Sequence, residues 1–238
     1  MLKTQAPLMP LRKLYFFLAL FLFISFIYFS YLVSKETFVQ FDFDSTVKLQ
    51  DKISRSWDEP FSLLSLIGTL EITGVFWLAL SVLAFLKRWF AVLFAFTLLP
   101  VSQAMELFGK LFLLHPSPPY MFFRGVLPFN FPSGYIHTDY SYPSGHSIRT
   151  AFLIIFLIFA VNKYTSGIAK IIVDLFLLLF LFLMLVSRIY LGEHWTTDVI
   201  GGTLLGVSMG LIAGLAIPVT KKLRPARQKP ESSEELLD

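Results

Sequence analysis

The sequence predicts an all-α membrane protein, a bundle of six transmembrane helices, and three observations support this prediction. Of the 238 residues, 55% are hydrophobic and only 15% are charged, too little polar surface for a soluble domain of this length. The apolar residues come in long runs, without the alternating or 3.6-residue spacing of half-buried elements. Six of these runs reach or approach the ~20 residues that a helix needs to cross a bilayer.

These runs define the predicted elements in chain order. We place the helices at Leu14–Val33, Thr69–Leu86, Ala91–Leu107, Ser147–Val161, Ile171–Val186 and Val199–Ile217. The first run is too long for a signal peptide and no cleavage site of small residues follows it, so it is interpreted as a retained signal anchor. The membrane domain is expected to span residues 13–220, between an N-terminal segment at 1–12 and a disordered tail at 221–238.

The basic residues predict how the bundle is oriented. If six helices alternate, one side of the membrane receives Arg12, Lys13, Lys87, Arg88, Lys163, Lys170, Lys221, Lys222, Arg224 and Arg227. This side is expected to be cytoplasmic, so both termini are predicted to be cytoplasmic and the segment Glu36–Glu59 external. The expected location is a plasma or inner membrane.

Composition also excludes several kinds of site. The chain has no cysteine, which rules out disulfides, thiolate metal sites and cysteine nucleophiles. The net charge of +4 is small and lies mostly in short segments beside apolar runs. Nucleic-acid binding needs a basic stripe on a polar face, so no nucleic-acid partner is expected.

The histidines cluster on the predicted outer side. His115, His137, His146 and His194 all fall in the two remaining outer regions, residues 110–147 and 188–198. Polar groups near membrane depth are costly and usually functional. The sequence therefore predicts an active site at the outer membrane interface.

The segment 187–198 carries a candidate nucleophile. His194 and Asp198 are four residues apart and would share one face of a helix. A carboxylate there fixes the tautomer of the imidazole and leaves its other nitrogen free to attack. Arg188 adds a permanent cation whose planar fork suits phosphate oxygens.

The segment 142–147 is predicted to form an anion-binding site at the start of an apolar helix. Gly145 lets the backbone turn its N–H groups toward one point, and the Ser144 hydroxyl and the positive helix end add to them. His146 is placed to act as a general acid. Earlier in the chain, Lys110 ends a membrane helix, and Glu106 one turn before it is a possible ion-pair partner.

In this order the three segments resemble the type 2 phosphatidic acid phosphatase superfamily, whose motifs are Lys-x6-Arg-Pro, Pro-Ser-Gly-His and Ser-Arg-x5-His-x3-Asp. The second and third motifs match at every defining position, and the core motifs cover residues 106–202. The resemblance implies that His194 forms a phosphohistidine, Asp198 orients it and His146 protonates the leaving group. It further implies that Lys110, Ser144, Gly145 and Arg188 hold the phosphate and that no metal or other cofactor is needed.

The first motif departs from the family because Ser117 stands where the arginine is expected. One charge-assisted phosphate contact, worth on the order of 1.5–3 kcal/mol, is then in question. Three nearby groups are candidates to replace it. Arg149 is favoured, Arg124 comes next, and His115 is more simply explained by interfacial packing or a loop contact.

Other polar residues have structural explanations. His137 is expected to be a loop residue, and Pro132–Tyr135, which imitates the second motif without its histidine, is expected to be a turn. Glu71 and Asp174 mark either a substrate path or pairing at helix ends and between helices.

The resulting hypothesis is a membrane phosphatase acting on a lipid phosphate or diphosphate, with undecaprenyl diphosphate, phosphatidate and phosphatidylglycerol phosphate as candidates. A phosphotransferase using the same histidine is the first alternative. A non-catalytic membrane scaffold is the second alternative. A transporter is disfavoured, because its polar groups should line the middle of the bilayer and its sequence should show inverted repeats. The oligomeric state stays open.

Overall fold

The computed structural model describes residues 8–127, 131–132, 138 and 140–218, and apart from an isolated bridge between Pro116 and Tyr140 the regular secondary structure of this part is helical. Its α-helices are α1 Leu8–Ser34, α2 Val39–Lys52, α3 Asp58–Ile67, α4 Leu70–Leu86, α5 Phe90–Phe96, α6 Leu98–Phe112, α7 Gly145–Asn162, α8 Gly167–Tyr190 and α9 Thr196–Leu215. Short 3-10 turns lie at Arg55–Trp57 and Tyr120–Phe122. The predicted all-α fold class is confirmed.

Each of the six predicted apolar runs lies in this helical framework. Five stretches are long and apolar enough to cross a membrane: α1 from Leu11, α5 with α6 as Phe90–Phe112, α7, α8 and α9. The sixth candidate is the pair α3 and α4, bent by 43° at Gly68–Thr69. The break at Gly68–Thr69 explains why the second predicted helix begins at Thr69 and omits α3, whereas the third predicted helix runs across the break at Thr97 and ends five residues before α6 does.

Helix α9 packs against α7 through a row of glycines. A Cβ on Gly206 would lie 2.4 Å from the Ile148 carbonyl oxygen, and one on Gly202 would lie 2.5 Å from the Ser144 carbonyl oxygen. Gly210 repeats this approach one turn further along. Small residues at four-residue spacing let two membrane helices meet backbone to backbone. The two helices that carry the second and third motifs are thereby held in close contact.

The outer surfaces of the peripheral helices are strongly apolar. Large side chains such as Phe21 on α1, Leu86 on α4 and Phe176 on α8 are each at least 65% exposed. In water these surfaces would be unfavourable, whereas lipid tails match them. This pattern agrees with a multi-pass membrane protein.

The segment 36–59, which is expected to be external, contains a helix, α2, that the sequence did not reveal. Its buried face is polar and contains Asp42, Thr46 and Gln50, while Phe41 and Phe43 are exposed. Gln50 donates its amide to the carbonyl oxygens of Phe122 at 2.7 Å and Tyr190 at 2.8 Å. Helix α2 therefore packs on α8 and α9 through polar contacts.

Basic residues meet at the opposite end of the bundle. The Arg12 guanidinium donates to the Leu215 carbonyl oxygen, and Lys163 Nζ donates to that of Pro218 at 2.8 Å. Both Lys87 and Lys163 lie over the Trp89 ring. Three of the predicted cytoplasmic regions thus share one end. Residues 1–7, Ser133–Tyr135, His137 and the tail 221–238 lie outside the described residues.

Candidate active site

The second motif builds the N-terminus of α7. Ser144 is the N-cap residue, and its hydroxyl accepts a hydrogen bond from the Ser147 backbone N–H at 3.4 Å. The Ser144 N–H donates to the Asp198 carbonyl oxygen at 3.0 Å, which ties this turn directly to α9. Just ahead of it, the Tyr142 ring packs against Gly201, where a Cβ would lie 2.4 Å from the phenolic oxygen. The absence of side chains at Gly201 and Gly202 thus lets both the turn before α7 and α7 itself pack closely on α9.

The third motif brings His194 to Asp198, but not on one helix as expected. His194 lies in the turn before α9, whose N-cap is Trp195, and Asp198 is in the first helical turn. The His194 Nδ1 atom is 3.3 Å from Asp198 Oδ2, and that oxygen also accepts the Trp195 N–H at 2.9 Å. The carboxylate therefore caps the helix and contacts the imidazole at once, which leaves the Nε2 atom of His194 free.

His194 is 8% exposed and sits in a positive environment. Burial lowers the pKa of His194 well below its ordinary 6.5, and the charges of Arg188 and Lys110 lower it further. Glu193 and Glu106 act in the opposite direction and do not reverse the shift. At neutral pH the ring is uncharged, as a nucleophile requires.

Arg188 projects from the last turn of α8 into the interior. It is 1% exposed, and its guanidinium donates to the Ser65 hydroxyl on α3 and to the Glu193 carboxylate. The carbonyl oxygen of Arg188 also accepts the His194 backbone N–H at 3.2 Å. A single residue thereby anchors the turn that carries the histidine and supplies a buried cation beside it.

Glu106 joins two further cations at the start of α7. Its carboxylate accepts from Lys110 Nζ at 2.8 Å and lies 3.5 Å from the Arg149 guanidinium. A Cβ on Gly145 would lie 2.2 Å from the Glu106 Oε1 atom. A Cβ at position 145 would displace the Glu106 carboxylate, which rests against the first turn of α7 between Lys110 and Arg149.

His146 lies among these groups. It is half-buried, and its ring packs on Gly68, where a Cβ would be 2.8 Å away. The charges of Arg188, Arg149 and Lys110 all act on it, as does His194. The structure therefore brings together the histidines and the cations of all three motifs.

The three candidates for the missing arginine have different surroundings. Arg149 donates to Gln103 Oε1 at 2.7 Å and to the Gly68 carbonyl oxygen at 3.2 Å, next to His146. Arg124 instead lies over the Tyr190 ring at 5.1 Å. His115 is buried at the Asp198 carboxylate, and Ser117 itself is exposed.

Asp42, on α2, was missed by the sequence reasoning. Its Oδ2 atom accepts the Thr197 hydroxyl at 2.6 Å and is 3.7 Å from His115 Nε2, so it reaches the surroundings of Asp198. Burial raises the pKa of Asp42 to about 6, although bonds from Thr197 oppose the shift. The signal available in the sequence is the four-residue spacing of Asp42, Thr46 and Gln50.

For Glu71 and Asp174 the sequence left two explanations open, a substrate path or structural pairing. Asp174 accepts from the Asn162 side chain at 3.1 Å, which makes it an interhelical pair. Glu71, in the first turn of α4, acts electrostatically on Arg149. Within the described residues, no group of three or more His, Asp or Glu side chains is arranged to hold a metal ion.

An apolar groove starts just below the site, between α4, α7 and α8. Its volume is about 360 Å³, and its wall runs along α7 from Thr150 to Leu157. Ile67, which precedes the Gly68 contact of Arg149 and His146, lines its upper end. At 1.5 Å per residue the groove extends roughly 10 Å toward the middle of the membrane.

Comparison with solved structures shows the same fold. The transmembrane PAP2-type phosphatidylglycerolphosphate phosphatase from Bacillus subtilis aligns with a TM-score of 0.62 and 19% identity, over 82% of this chain and 93% of that one. LpxE from Aquifex aeolicus aligns with a TM-score of 0.53 and 20% identity, over 73% of this chain and 94% of its own.

Sequence comparison covers less of the chain but at higher identity. The undecaprenyl-diphosphatase of Sulfolobus acidocaldarius is 37% identical over 86 residues, which are 33% of this chain and 37% of that protein. The chain thus matches little more than a third of that relative's length. A family model, the PAP2 superfamily, matches residues 88–221. This match spans more than half of the sequence and contains all three motifs, so the chain belongs to the PAP2 superfamily.

Proposed function

We propose that this protein is a membrane phosphatase that hydrolyses a lipid phosphate or diphosphate through a phosphohistidine on His194. The observation that carries the proposal is the His194–Asp198 pair, 3.3 Å apart, beside the buried cation Arg188 and the α7 N-terminus. A short sequence motif can occur by chance and is weak support for a function. This spatial arrangement is stronger support, because it places a neutral nucleophile beside an anion-binding site. The undecaprenyl-diphosphatase match supports the reaction class.

In the first step the Nε2 atom of His194 attacks phosphorus. The new N–P bond replaces the P–O bond to the lipid, whose oxygen takes a proton from His146. Asp198 holds the Nδ1 side of the nucleophile and stabilises the positive charge that develops on the ring.

In the second step water hydrolyses the phosphohistidine. His146 takes a proton from the water as it attacks phosphorus, the N–P bond breaks, and inorganic phosphate leaves with His194 neutral again. Lys110, Arg149 and Arg188 neutralise the phosphoryl oxygens, and the Gly145 backbone N–H in the first turn of α7 and the Ser144 hydroxyl add neutral donors. These cations do the work that a metal ion does in other phosphatases, so we propose a metal-independent reaction.

The apolar groove supports a lipid as the substrate. Its upper end lies at Ile67 and Thr150, next to the groups around Arg149, and apart from Thr73 and Thr150 its lining is apolar. We infer that one hydrocarbon chain lies in this groove while its phosphate is held above it. The lipid phosphates named for the relatives fit this requirement.

A phosphate-release assay on the purified protein tests the reaction. Wild type is expected to release phosphate from at least one member of a panel of undecaprenyl diphosphate, phosphatidate and phosphatidylglycerol phosphate, with EDTA present. His194→Ala is expected to be inactive, and acid-labile label from a ³²P-substrate should appear on wild type alone. Equal release by wild type and variant would falsify the mechanism. Transfer of label to an added lipid alcohol would instead favour a phosphotransferase.

A second variant tests the groove. Leu157→Trp fills the groove about 10 Å below Thr150 without touching the phosphate site. We expect KM to rise at least tenfold for a long-chain substrate and to stay unchanged for a hexyl phosphate, because only the long chain reaches position 157. An equal effect on both substrates contradicts this placement of the chain.

A further inference from the structure

Behind Asp198 lies a buried polar cluster that the three motifs do not explain. Asp42 on α2 is 2% exposed, His115 after α6 is 6% exposed, and Thr197 and Asp198 on α9 are fully buried. Buried polar groups are costly unless hydrogen-bonded, so the directions of their hydrogen bonds are informative.

Thr197 fixes the direction of these bonds. Its backbone N–H donates to Asp42 Oδ1 at 2.8 Å and its hydroxyl donates to Asp42 Oδ2 at 2.6 Å. A hydroxyl has a single proton, so the Thr197 oxygen can only accept from the His115 Nε2 atom, 3.2 Å away. The Nε2 atom of His115 therefore carries a proton.

That proton also faces the carboxylate of Asp198. His115 Nε2 is 3.5 Å from Asp198 Oδ1, while Asp198 Oδ2 contacts His194 Nδ1 and accepts the Trp195 N–H. Asp198 Oδ1 makes no hydrogen bond to His115, and their 3.5 Å contact is electrostatic. Rotation of Asp198 away from the nucleophile would lose this contact as well as the bonds that Oδ2 accepts.

We propose that Asp42, Thr197 and His115, the orienting cluster, position Asp198 on His194. They are positioning residues, which act through Asp198 and do not touch the substrate. The proposal rests on the proposed phosphohistidine mechanism. Asp42 lies outside the region 88–221 that matches the family model, so helix α2 supports the site from outside the segment that carries the three motifs.

Two variants of Thr197 separate orientation from packing. Thr197→Val keeps the shape of the side chain and removes the hydroxyl, whereas Thr197→Ser keeps the hydroxyl and removes a methyl group. If packing is what matters, valine is the better substitute. If the orienting cluster is what matters, serine retains activity and valine loses it.

The experiment measures kcat, KM and thermal stability with a short-chain substrate. We expect Thr197→Val and Asp42→Asn to lower kcat by roughly ten- to a hundredfold at little-changed KM, the loss typical of one charge-assisted hydrogen bond. Thr197→Ser should stay within about threefold of wild type. Asp51→Asn, on the exposed side of the same helix, is the matched control and should match wild type. In an Asp198→Asn background, Asp42→Asn should have little further effect, because both act on one interaction.

Equal losses for Thr197→Ser and Thr197→Val, or equal rates for Asp42→Asn and Asp51→Asn, overturn the proposal. If the purified protein has no phosphatase activity, that result counts against the proposed function, and the orienting cluster is then tested by a second measurement. In ¹⁵N-histidine NMR spectra, assigned with His115→Asn, His115 should show a proton on Nε2 in wild type, and this signal should change in Asp42→Asn. An Nε2 atom without a proton in wild type rejects the orienting cluster in either case.

Discussion

Arg149 is the residue best placed to replace the arginine that position 117 lacks. Its guanidinium lies beside Glu106 and Gly68, whereas that of Arg124 lies on the Tyr190 ring. We expect Arg149→Gln to lower kcat/KM by roughly ten- to a hundredfold, because a charge-assisted phosphate contact is lost. Arg124→Gln should have a smaller effect, and Ser117→Arg should partly restore the Arg149→Gln enzyme. Unchanged kcat/KM in Arg149→Gln contradicts this assignment.

The charges around His194 predict a pH dependence. Because burial, Arg188 and Lys110 lower its pKa well below 6.5, the acidic limb of phosphohistidine formation should lie below pH 6.5. Glu193 and Glu106 raise the pKa of His194, so Glu193→Gln should move the limb to lower pH. Lys110→Met removes a cation and should move it to higher pH.

Single-turnover rates between pH 4.5 and 8 measure these shifts. Titration of the substrate is common to all variants and cancels in the comparison. Shifts of the same sign in Glu193→Gln and Lys110→Met exclude His194 as the titrating group. Protein stability should follow the same group, since a histidine that is harder to protonate when folded contributes stability above pH 6.5 that is lost as the pH falls.

At the scale of elements, the glycine row of α9 determines how closely the second and third motifs approach. A Cβ at position 206 would lie 2.4 Å from the Ile148 backbone oxygen, which cannot move aside as a side chain can. Gly206→Ala should therefore destabilise the protein by about 1–3 kcal/mol and lower activity, because α7 must separate from α9.

Gly74 is the matched control for this prediction. It lies in α4 with nothing within 4 Å of a Cβ, so Gly74→Ala should be neutral or stabilise by up to about 1 kcal/mol through its higher helix propensity. Thermal unfolding in one detergent measures both variants. If Gly206→Ala is as stable as Gly74→Ala, α7 and α9 can accommodate a Cβ at position 206, and the prediction is wrong.

The elements also show what the sequence could and could not predict. Apolar runs locate the membrane helices because length and hydropathy are local properties. The four-residue spacing of His194 and Asp198 correctly predicted that these two side chains lie in contact. Helix α2 was not predicted because its buried face is polar, so hydrophobic periodicity points to the wrong side. Its partner Thr197 is 155 residues from Asp42, and such long-range pairing cannot be read from one sequence. The pairing of Lys110 with Glu106 was predictable because it spans a single helical turn.

At the scale of the whole molecule, the two ends of the bundle differ in chemistry. One end gathers His115, His146 and His194 with the acidic partners of the site, and the other gathers Arg12, Lys87 and Lys163. Basic segments are retained on the cytoplasmic side during insertion. We therefore propose that the active site faces the external side, where it would meet lipid phosphates of the outer leaflet.

The absence of native cysteine makes this orientation directly testable. Single cysteines replace Asp51, at the active-site end, and Lys170, at the basic end, both of which are exposed. A membrane-impermeant maleimide applied to intact cells should label Asp51→Cys strongly and Lys170→Cys only after permeabilisation. Labelling of both variants in detergent checks that each thiol is reachable. The reverse pattern in intact cells would place the site on the cytoplasmic face, and the substrate would then have to come from the inner leaflet.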